Sequence, residues 1–368
     1  MKKLGFGLMR LPTLDKNDPS KVDLEQLKQM VDLFLEKGFT YFDTAWMYNA
    51  FASEGAAKAA LVDRHPRESF TLATKLHAGF FNSLEDRDKI FNAQLEKTGA
   101  GYFDYYLLHG IEGNVYDKFE QFDCFNWLLE KKAQGLVKHA GFSYHDDPEL
   151  LDKILTKHPE MEFVQLQINY ADWEDDNVQS RRCYEVARKH NKPVIIMEPV
   201  KGGLLANPPE TVAQVLKAAA PEKDLPSWAL RFAASLEGII TVLSGMSTLE
   251  QMEQNLATMK EFSPLSAQEQ AVVAQAREAL ASLPSIPCTS CQYCVKGCPQ
   301  GIPIPGVFSA MNTHLIYGNT ERAKGNYGFA TRGKGKASDC IQCGQCESVC
   351  PQHISIIQQL QQAAEVLE

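Results

Sequence analysis

This chain of 368 residues lacks the features that mark membrane proteins and nucleic-acid-binding proteins. No apolar run reaches the roughly 20 residues that a helix needs to cross a bilayer. Acidic residues outnumber basic ones, 46 against 37, and the formal charge of -9 argues against a nucleic-acid partner. The chain begins Met1-Lys2-Lys3 and continues into Leu4-Gly5 without a cleavable apolar segment. We therefore expect a cytoplasmic protein with neither a membrane nor a nucleic acid as partner.

Cysteine is scarce except near the C-terminal end. Cys124 and Cys183 lie apart from the others, in helical patterns that predict buried thiols. The remaining cysteines form two runs with the spacing C-x2-C-x2-C-x3-C-P. They are Cys288, Cys291, Cys294 and Cys298 in the first run and Cys340, Cys343, Cys346 and Cys350 in the second. A disulfide framework is not expected in a long chain from a reducing compartment.

This repeated spacing predicts two iron–sulfur clusters of the [4Fe–4S] type. Three thiolates in a tight loop bind one face of a cluster, and in two-cluster ferredoxins the fourth cysteine of each run binds the other cluster. On that pattern Cys350 completes the site of the first run and Cys298 completes the site of the second. Zinc is the alternative, although zinc sites usually combine one C-x2-C pair with a second pair well downstream.

Residues 1 to about 260 alternate short apolar strands with amphipathic helices. Eight strand patterns begin near Gly5, Thr40, Phe70, Asp104, Val137, Phe163, Val194 and Ile239. In the first helical pattern, Ser20 is the expected N-cap and Gly38 the expected stop. Strands that alternate with helices pair in parallel, and eight such units in this length indicate an α/β fold, a (β/α)8 TIM barrel rather than an open sheet.

We expect four regions along the chain. They are a TIM barrel over residues 1–262, a helical junction over 263–287, a small ferredoxin-like iron–sulfur domain over 288–354 and a C-terminal helix over 355–368. Between the cysteine runs, residues 299–339 form a longer segment than a compact ferredoxin needs, with a helix predicted from Ile304 to Tyr317. Its basic stretch, Arg332, Lys334 and Lys336, is either a solvated loop or a docking patch for an acidic electron-transfer partner.

Four polar side chains recur where the early strands are expected to end. Asp43 ends one strand, Tyr48 follows it, Lys75 ends the next strand and His109 ends the one after. Because the carboxyl ends of barrel strands meet at one rim, these residues are expected to lie together. Such a set makes an acid catalyst for a carbonyl group. The lysine ammonium lowers the pKa of the phenol, the aspartate holds the lysine, and the histidine donates to the carbonyl oxygen.

These motifs resemble those of the aldo-keto reductases over residues 1 to about 260. The matching segments are Gly5-Phe6-Gly7-Leu8-Met9-Arg10-Leu11-Pro12, Phe42-Asp43-Thr44-Ala45-x-x-Tyr48, the strand-end Lys75 and Leu107-Leu108-His109. The resemblance implies a (β/α)8 barrel that binds a nicotinamide cofactor and a small-molecule carbonyl or alcohol substrate. It also implies that Asp43, Tyr48, Lys75 and His109 form the catalytic tetrad, with Tyr48 as proton donor.

The same resemblance implies a set of cofactor contacts. Ser143 and Gln165 match the residues that hold the carboxamide, Met197 falls where an aromatic ring often stacks on the nicotinamide, and Gly245 and Asn255 follow the last strand. Typical NADP-dependent members have basic residues at the positions of Gly245 and Gln251. Both charges are missing here, so the cofactor is expected to be NAD(P)H, with the choice between NADH and NADPH open.

The whole chain resembles the ferredoxin-fused aldo-keto reductases. Hydride transfer moves two electrons together, whereas a cluster moves one, and exchange between them normally needs a flavin, for which the sequence has no fingerprint. Three hypotheses stay open. The clusters exchange electrons with a redox partner protein through an unseen flavin or an unusual substrate; the clusters are structural; or the chain is a nonenzymatic electron carrier or redox sensor.

Overall fold

The computed structural model describes residues 2–368, apart from the side chain of Asn114. These residues form two compact units. The first runs to Ala206 and resumes over Glu222–Val273, and the second consists of Asn207–Pro221 and Ala274–Glu368. Within residues 2–368, no helix combines the length and the apolar content that crossing a bilayer requires.

The first unit is a closed barrel of eight strands that neighbour one another in chain order. The strands are β1 (Leu4–Gly7), β2 (Tyr41–Asp43), β3 (Thr71–His77), β4 (Phe103–Ile111), β5 (Val137–Tyr144), β6 (Phe163–Gln167), β7 (Val194–Met197) and β8 (Ile239–Ser244). Every neighbouring pair is parallel, including β1 with β8, which closes the barrel. The predicted TIM barrel is confirmed.

Helices connect the strands and continue into the second unit. In chain order they are α1 (Leu24–Glu36), α2 (Ser53–Ala57), α3 (Leu84–Thr98), α4 (Gly113–Gln121), α5 (Cys124–Ala133), α6 (Pro148–Lys157), α7 (Ser180–Lys189), α8 (Glu210–Ala219), α9 (Leu225–Ser235), α10 (Leu249–Lys260), α11 (Ala267–Ala281), α12 (Tyr293–Lys296), α13 (Ile304–Tyr317), α14 (Thr320–Ala330), α15 (Gln345–Ser348) and α16 (Ile356–Leu367). The predicted helix from Ile304 to Tyr317 is confirmed at both ends.

Side chains fill the interior of the barrel, so it is a packed core. Six strands each contribute one buried residue to one interior cluster, namely Tyr41, Ala73, Leu107, Phe163, Ile195 and Leu243. The other two strands contribute glycines at this level. A Cβ atom on Gly5 would lie 2.7 Å from Leu243, and one on Gly141 would lie 2.5 Å from the carbonyl oxygen of Phe163. These two glycines therefore make room for the large side chains beside them.

The first helix begins three residues later than the sequence suggests. Asp23 is its N-cap, and its side chain accepts a hydrogen bond from the backbone N–H of Gln26 at 3.0 Å. The prediction of Ser20 as cap was wrong, because the hydroxyl of Ser20 is bonded to Asp18 within a preceding turn. Gly38, with φ of +77°, follows the helix as expected, since glycine adopts the left-handed conformation at little cost.

The second unit has a separate apolar core made by helices α13, α14 and α16. Buried residues shared among these helices include Val307, Phe308 and Met311 from α13, Ala323 and Tyr327 from α14, and Leu360 and Ala363 from α16. Most of the long segment between the cysteine runs is therefore a helical hairpin, α13 and α14, on which the last helix packs.

Candidate active site and cluster sites

The four polar residues predicted at the strand ends lie together at the carboxyl end of the barrel. The ammonium of Lys75, in β3, donates to Asp43 Oδ1 at 2.5 Å and to the carbonyl oxygen of Thr44 at 2.7 Å. Lys75 Nζ also lies 5.0 Å from the centre of the Tyr48 ring. The Tyr48 ring meets the His109 ring edge to face, with 5.8 Å between their centres. The structure thus brings all four side chains into one cluster.

Burial decides the ionisation of these groups. Burial would lower the pKa of Lys75, but the Asp43 carboxylate and the Tyr48 phenol together outweigh it, so the pKa of Lys75 lies above its ordinary value. Burial, together with the charge on Lys75, lowers the pKa of His109 well below its ordinary value, so this imidazole is neutral. Burial also raises the pKa of Tyr48 above its ordinary value, and Lys75 offsets this only in part. Lys75 thus lowers the pKa of Tyr48, as expected, but by less than burial raises it.

Three of the predicted cofactor residues lie on adjacent strands. Ser143 on β5 and Gln165 on β6 are register partners. The Ser143 hydroxyl accepts from the backbone N–H of Gly110 at 2.8 Å, and Gln165 Nε2 contacts the sulfur of Met197 at 3.5 Å. Among the described residues, Gln165 Oε1 is buried without a hydrogen-bond partner. An unsatisfied acceptor in such a place is suited to a polar ligand group that donates a hydrogen bond.

The other two predicted cofactor residues lie beyond the end of β8. Gly245 follows the strand directly, and a Cβ atom there would lie 3.5 Å from the Cβ of Arg10. Asn255, on α10, donates to the Ser244 hydroxyl at 3.1 Å. Gln251 accepts from the backbone N–H of Ser247 at 2.8 Å. The last loop is therefore held by polar contacts with α10.

The cysteines of the second unit line two cavities. One cavity is bordered by Cys298, Cys340, Cys343 and Cys346. The other cavity is bordered by Cys288, Cys291, Cys294 and Cys350. Each set combines three cysteines of one run with the last cysteine of the other, which is the crossed arrangement that the spacing predicts. Ile304, the first residue of α13, borders both cavities and so forms part of the wall between them.

The two cysteine loops repeat the same backbone conformation. Ser290 and Gln342, each two residues after the first cysteine of a run, have φ of 53° and 55°. Gln292 and Gly344, two residues further on, have φ of 63° and 76°. Left-handed residues are also a feature of nests, in which successive N–H groups turn toward one point and bind anions or iron–sulfur clusters. Short helices α12 and α15 then follow at equivalent positions.

Comparison with known proteins agrees with this geometry. The model of the Aldo/keto reductase family matches residues 3–278. The chain belongs to the aldo/keto reductase family. It is therefore an oxidoreductase, and residues 287–355 match the model of a 4Fe-4S dicluster domain.

Similarity to individual members is distant. Probable aldo-keto reductase 1 from Glycine max is 29% identical over 184 residues, which cover 48% of this chain and 50% of that protein. The chain thus spans half the length of this relative. The aldo-keto reductase AKR11C1 from Bacillus halodurans, in its holo form, superposes with a TM-score of 0.62 at 25% identity over 75% of this chain and 92% of that one. An aldo-keto reductase from Klebsiella pneumoniae in complex with NADPH superposes with a TM-score of 0.57 at 18% identity. The superposition covers 74% of this chain and 90% of that one.

In this aldo/keto reductase, sequence reasoning had assigned no role to Arg10. Its guanidinium lies 3.6 Å from the carboxylate of Glu198, and its side chain passes Gly245. The aliphatic part of Arg10 therefore packs beside Gly245, while its positive charge is paired with Glu198. The sequence does contain one indication that Arg10 belongs to the site. Arg10 lies in the motif that follows β1, and the ends of the strands form the rim of the barrel.

Sequence reasoning also missed most of an aromatic wall that leads away from the catalytic cluster. The His77 ring lies 5.4 Å from that of His109 and 5.5 Å from that of Phe80. The ring centres of Phe80 and Phe51 lie 5.6 Å apart, and those of Phe51 and Trp46 lie 6.1 Å apart. Phe51 and Phe80 are 45% and 38% exposed. Large aromatic rings beside a catalytic cluster offer contact area to an apolar ligand.

An unusual backbone turn presents Phe51 to this wall. Asn49, Ala50 and Phe51 have φ of 50°, 49° and 72°, which places three consecutive residues other than glycine in the left-handed region. Each such residue costs about 1–2 kcal/mol, except that asparagine tolerates the conformation better. Neighbouring contacts hold the turn, including the hydrogen bond from Asn49 Nδ2 to the carbonyl oxygen of Pro19 at 3.2 Å. The sequence does not predict this turn, because the turn contains no glycine.

Proposed function

We propose that the barrel reduces the carbonyl group of a small molecule with hydride from NAD(P)H, or oxidises the matching alcohol, with Tyr48 as the proton donor. The observation that carries this proposal is the cluster of Lys75, Asp43, Tyr48 and His109, because their contacts suit the protonation of a carbonyl oxygen.

Each residue of the cluster has a distinct task in this proposal. Asp43 fixes the ammonium of Lys75, which places a positive charge beside the phenol. That charge stabilises the phenolate that Tyr48 becomes when it gives its proton to the carbonyl oxygen. The neutral imidazole of His109 donates a hydrogen bond to the same oxygen, and its low pKa keeps it from competing as an acid.

The bound nicotinamide would supply the hydride, which adds to the carbonyl carbon as the oxygen takes the proton. Ser143 and Gln165 would hold its carboxamide, and the unpartnered Gln165 Oε1 fits the amide N–H of that group. Met197 lies beside Gln165 and would form part of the surface under the ring. Gly245 and Asn255 would line the remainder of the cofactor site, with the aliphatic part of the Arg10 side chain packed beside Gly245.

The aromatic wall supports a substrate that carries an apolar group next to its carbonyl. Phe51 and Phe80 expose their rings while lying in contact with each other. The His77 ring contacts both Phe80 of this wall and His109 of the catalytic cluster. A molecule bound against the wall would therefore extend toward Tyr48, the proposed proton donor.

We further propose that the second unit binds two [4Fe–4S] clusters, as in aldo-keto reductases fused to a ferredoxin-like module. Each cavity is bordered by four cysteines, three of them from one closely spaced run, whereas zinc sites usually combine two separate C-x2-C pairs. The repeated left-handed residues of the two loops support the same assignment, because such loops direct N–H groups toward the negatively charged cluster.

Replacement of Tyr48 by phenylalanine tests the proposed catalysis. We expect kcat/KM for carbonyl reduction to fall about 10²–10⁴-fold, because the general acid is lost while the ring remains. Binding of NADH and NADPH, followed by fluorescence titration, and iron content should match the wild-type protein. Tyr105→Phe is the matched control, since Tyr105 lies on β4 and its ring packs against Tyr41. Turnover by Tyr48→Phe at the wild-type rate would refute the assigned role.

A further inference from the structure

Three basic residues of the second unit lie close together in one exposed loop. Arg332, Lys334 and Lys336 are all exposed, in a chain whose formal charge is -9. Among the described residues, neither Arg332 nor Lys334 forms an ion pair with a carboxylate within 4.0 Å. Their charges are therefore available to a partner.

Close backbone packing fixes this loop in place. A Cβ atom on Gly335 would lie 2.1 Å from the carbonyl oxygen of Gln300, so only glycine fits there. The backbone N–H of Gly335 donates to the carbonyl oxygen of Gly301 at 3.3 Å. At the end of the loop, the backbone N–H of Ala337 donates to the hydroxyl of Tyr327 at 2.8 Å. A freely solvated loop would not need these constraints, so the loop presents its charges in a defined arrangement.

The same contacts place the loop beside one of the two cysteine cavities. Gln300, on which Gly335 packs, borders the cavity of Cys298 and Cys340. Ile341 borders this cavity as well and is 59% exposed. The basic loop therefore adjoins residues that border this cavity.

An exposed aromatic ring completes the surface. Phe329 is 77% exposed, and the guanidinium of Arg332 lies 5.9 Å from the centre of its ring. An exposed phenylalanine has no benefit for the folded chain alone, whereas aromatic and arginine side chains are enriched in the cores of protein interfaces. We call Phe329, Arg332, Lys334, Lys336 and Ile341 the basic patch.

We propose that the basic patch is the docking surface for an acidic one-electron carrier protein, which exchanges electrons with the cluster of Cys298, Cys340, Cys343 and Cys346. The proposal rests on the cluster assignment made above. Charge complementarity selects an acidic partner, and the adjoining cluster selects a carrier of single electrons. In the exchange one electron leaves the cluster, which is oxidised, and reduces the carrier, or moves in reverse. No bond or proton is transferred.

Electron exchange measured by anaerobic stopped flow tests this surface. The probe is an acidic [2Fe–2S] ferredoxin. It is mixed with the full-length protein in two ways, reduced ferredoxin with oxidised protein and oxidised ferredoxin with reduced protein. The combination in which electron transfer is thermodynamically favourable gives the second-order rate constant. We expect this constant to fall about tenfold or more between roughly 20 mM and 500 mM salt, because screening removes electrostatic steering. The variant Arg332→Gln/Lys334→Gln/Lys336→Gln should be about tenfold slower at low salt and nearly insensitive to salt.

The matched control neutralises three lysines of the first unit, as Lys37→Gln/Lys89→Gln/Lys157→Gln, which changes the net charge equally. It should keep the salt dependence of the wild-type protein. Phe329→Ser should slow the exchange without changing its salt dependence. If both triple variants contain normal cluster iron and react at equal rates, the docking surface is refuted. If the wild-type protein holds no cluster iron, the cluster assignment itself fails, and the docking proposal with it.

Discussion

At the scale of single residues, the barrel places an ion pair where water does not reach. Lys75 is fully buried and Asp43 is 3% exposed. Burying two charges is costly, and a pair of this kind persists when each charge finds its partner and the remaining hydrogen bonds are made. Lys75 makes its bonds to Asp43 and to the carbonyl oxygen of Thr44, whereas among the described residues Asp43 Oδ2 is buried without a hydrogen-bond partner.

Lys75→Met is therefore expected to destabilise the barrel as well as to reduce catalysis. The substitution leaves the Asp43 carboxylate buried without its partner, which should lower the free energy of unfolding by about 3–5 kcal/mol. Denaturant unfolding monitored by circular dichroism measures this change. The double variant Asp43→Leu/Lys75→Met should recover most of the stability but none of the activity. A single variant as stable as the wild-type protein would contradict the importance of the pair.

The pH dependence of reduction follows from the shifted pKa values of Tyr48 and His109. Tyr48 must be protonated to act as the acid, and burial raises its pKa above 10, so its active form persists through alkaline pH. His109 must be neutral, and its lowered pKa keeps it neutral at and above pH 6.5. We expect kcat/KM for carbonyl reduction to be level between about pH 7 and 9. A steep loss of activity within that range would contradict these assignments.

At the scale of elements, the two cysteine loops share one backbone conformation but not the same residue types. Gly344 in the second loop takes φ of 76° easily, whereas Gln292 holds 63° at the equivalent position of the first loop. Left-handed conformation costs a residue with a Cβ atom about 1–2 kcal/mol, while glycine loses more entropy on folding. The first loop therefore carries strain that the second avoids.

Placing glycine at Gln292 and glutamine at Gly344 should change the stability of the second unit in opposite directions. Gln292→Gly is expected to stabilise the second unit by about 0.5–1 kcal/mol, and Gly344→Gln to destabilise it by about 1 kcal/mol. No atom lies within 4 Å of a Cβ built on Gly344, so the backbone alone determines the second effect. Thermal loss of the visible cluster absorbance under anaerobic conditions provides the measurement. Destabilisation by Gln292→Gly would show that its side chain has a role of its own.

Elements that repeat a strong pattern could be predicted from the sequence. The apolar strands and the helix from Ile304 to Tyr317 carry such patterns, and the structure contains them. Helix α14 was not predicted, because Gly325 and Gly328 within it are poor helix formers and its packing on α13 and α16 compensates. The cap at Ser20 was wrong for a similar reason, since a local turn with Asp18 took its hydroxyl.

The candidate sites were predictable to different degrees. Spacing predicts the three neighbouring cysteines of each set, and the fourth follows from the crossed pattern of two-cluster ferredoxins. The residues at the strand ends follow from the barrel, whose geometry gathers them at one rim. The wall formed by Phe51 and Phe80 could not be predicted, since it depends on the left-handed turn before it. The raised pKa of Tyr48 could not be predicted either, because it depends on burial.

At the scale of the whole molecule, one chain combines a barrel suited to hydride transfer with a domain suited to single electrons. The catalytic cluster and the cysteine cavities belong to different units, each with its own apolar core. The basic patch gives the second unit a route for single electrons that requires no flavin in the barrel. On this account, carbonyl reduction and electron exchange are two activities that can be measured separately.

The metal content of the anaerobically purified protein tests the central claim most directly, with Cys291→Ala beside the wild-type chain. The account predicts about eight iron atoms and eight acid-labile sulfides per wild-type chain. It predicts about four of each in Cys291→Ala, because Cys291 borders only one cavity, and no loss in the control Cys183→Ala, whose thiol is buried in the barrel. Wild-type protein with zinc in place of iron, or with a single cluster, would contradict it.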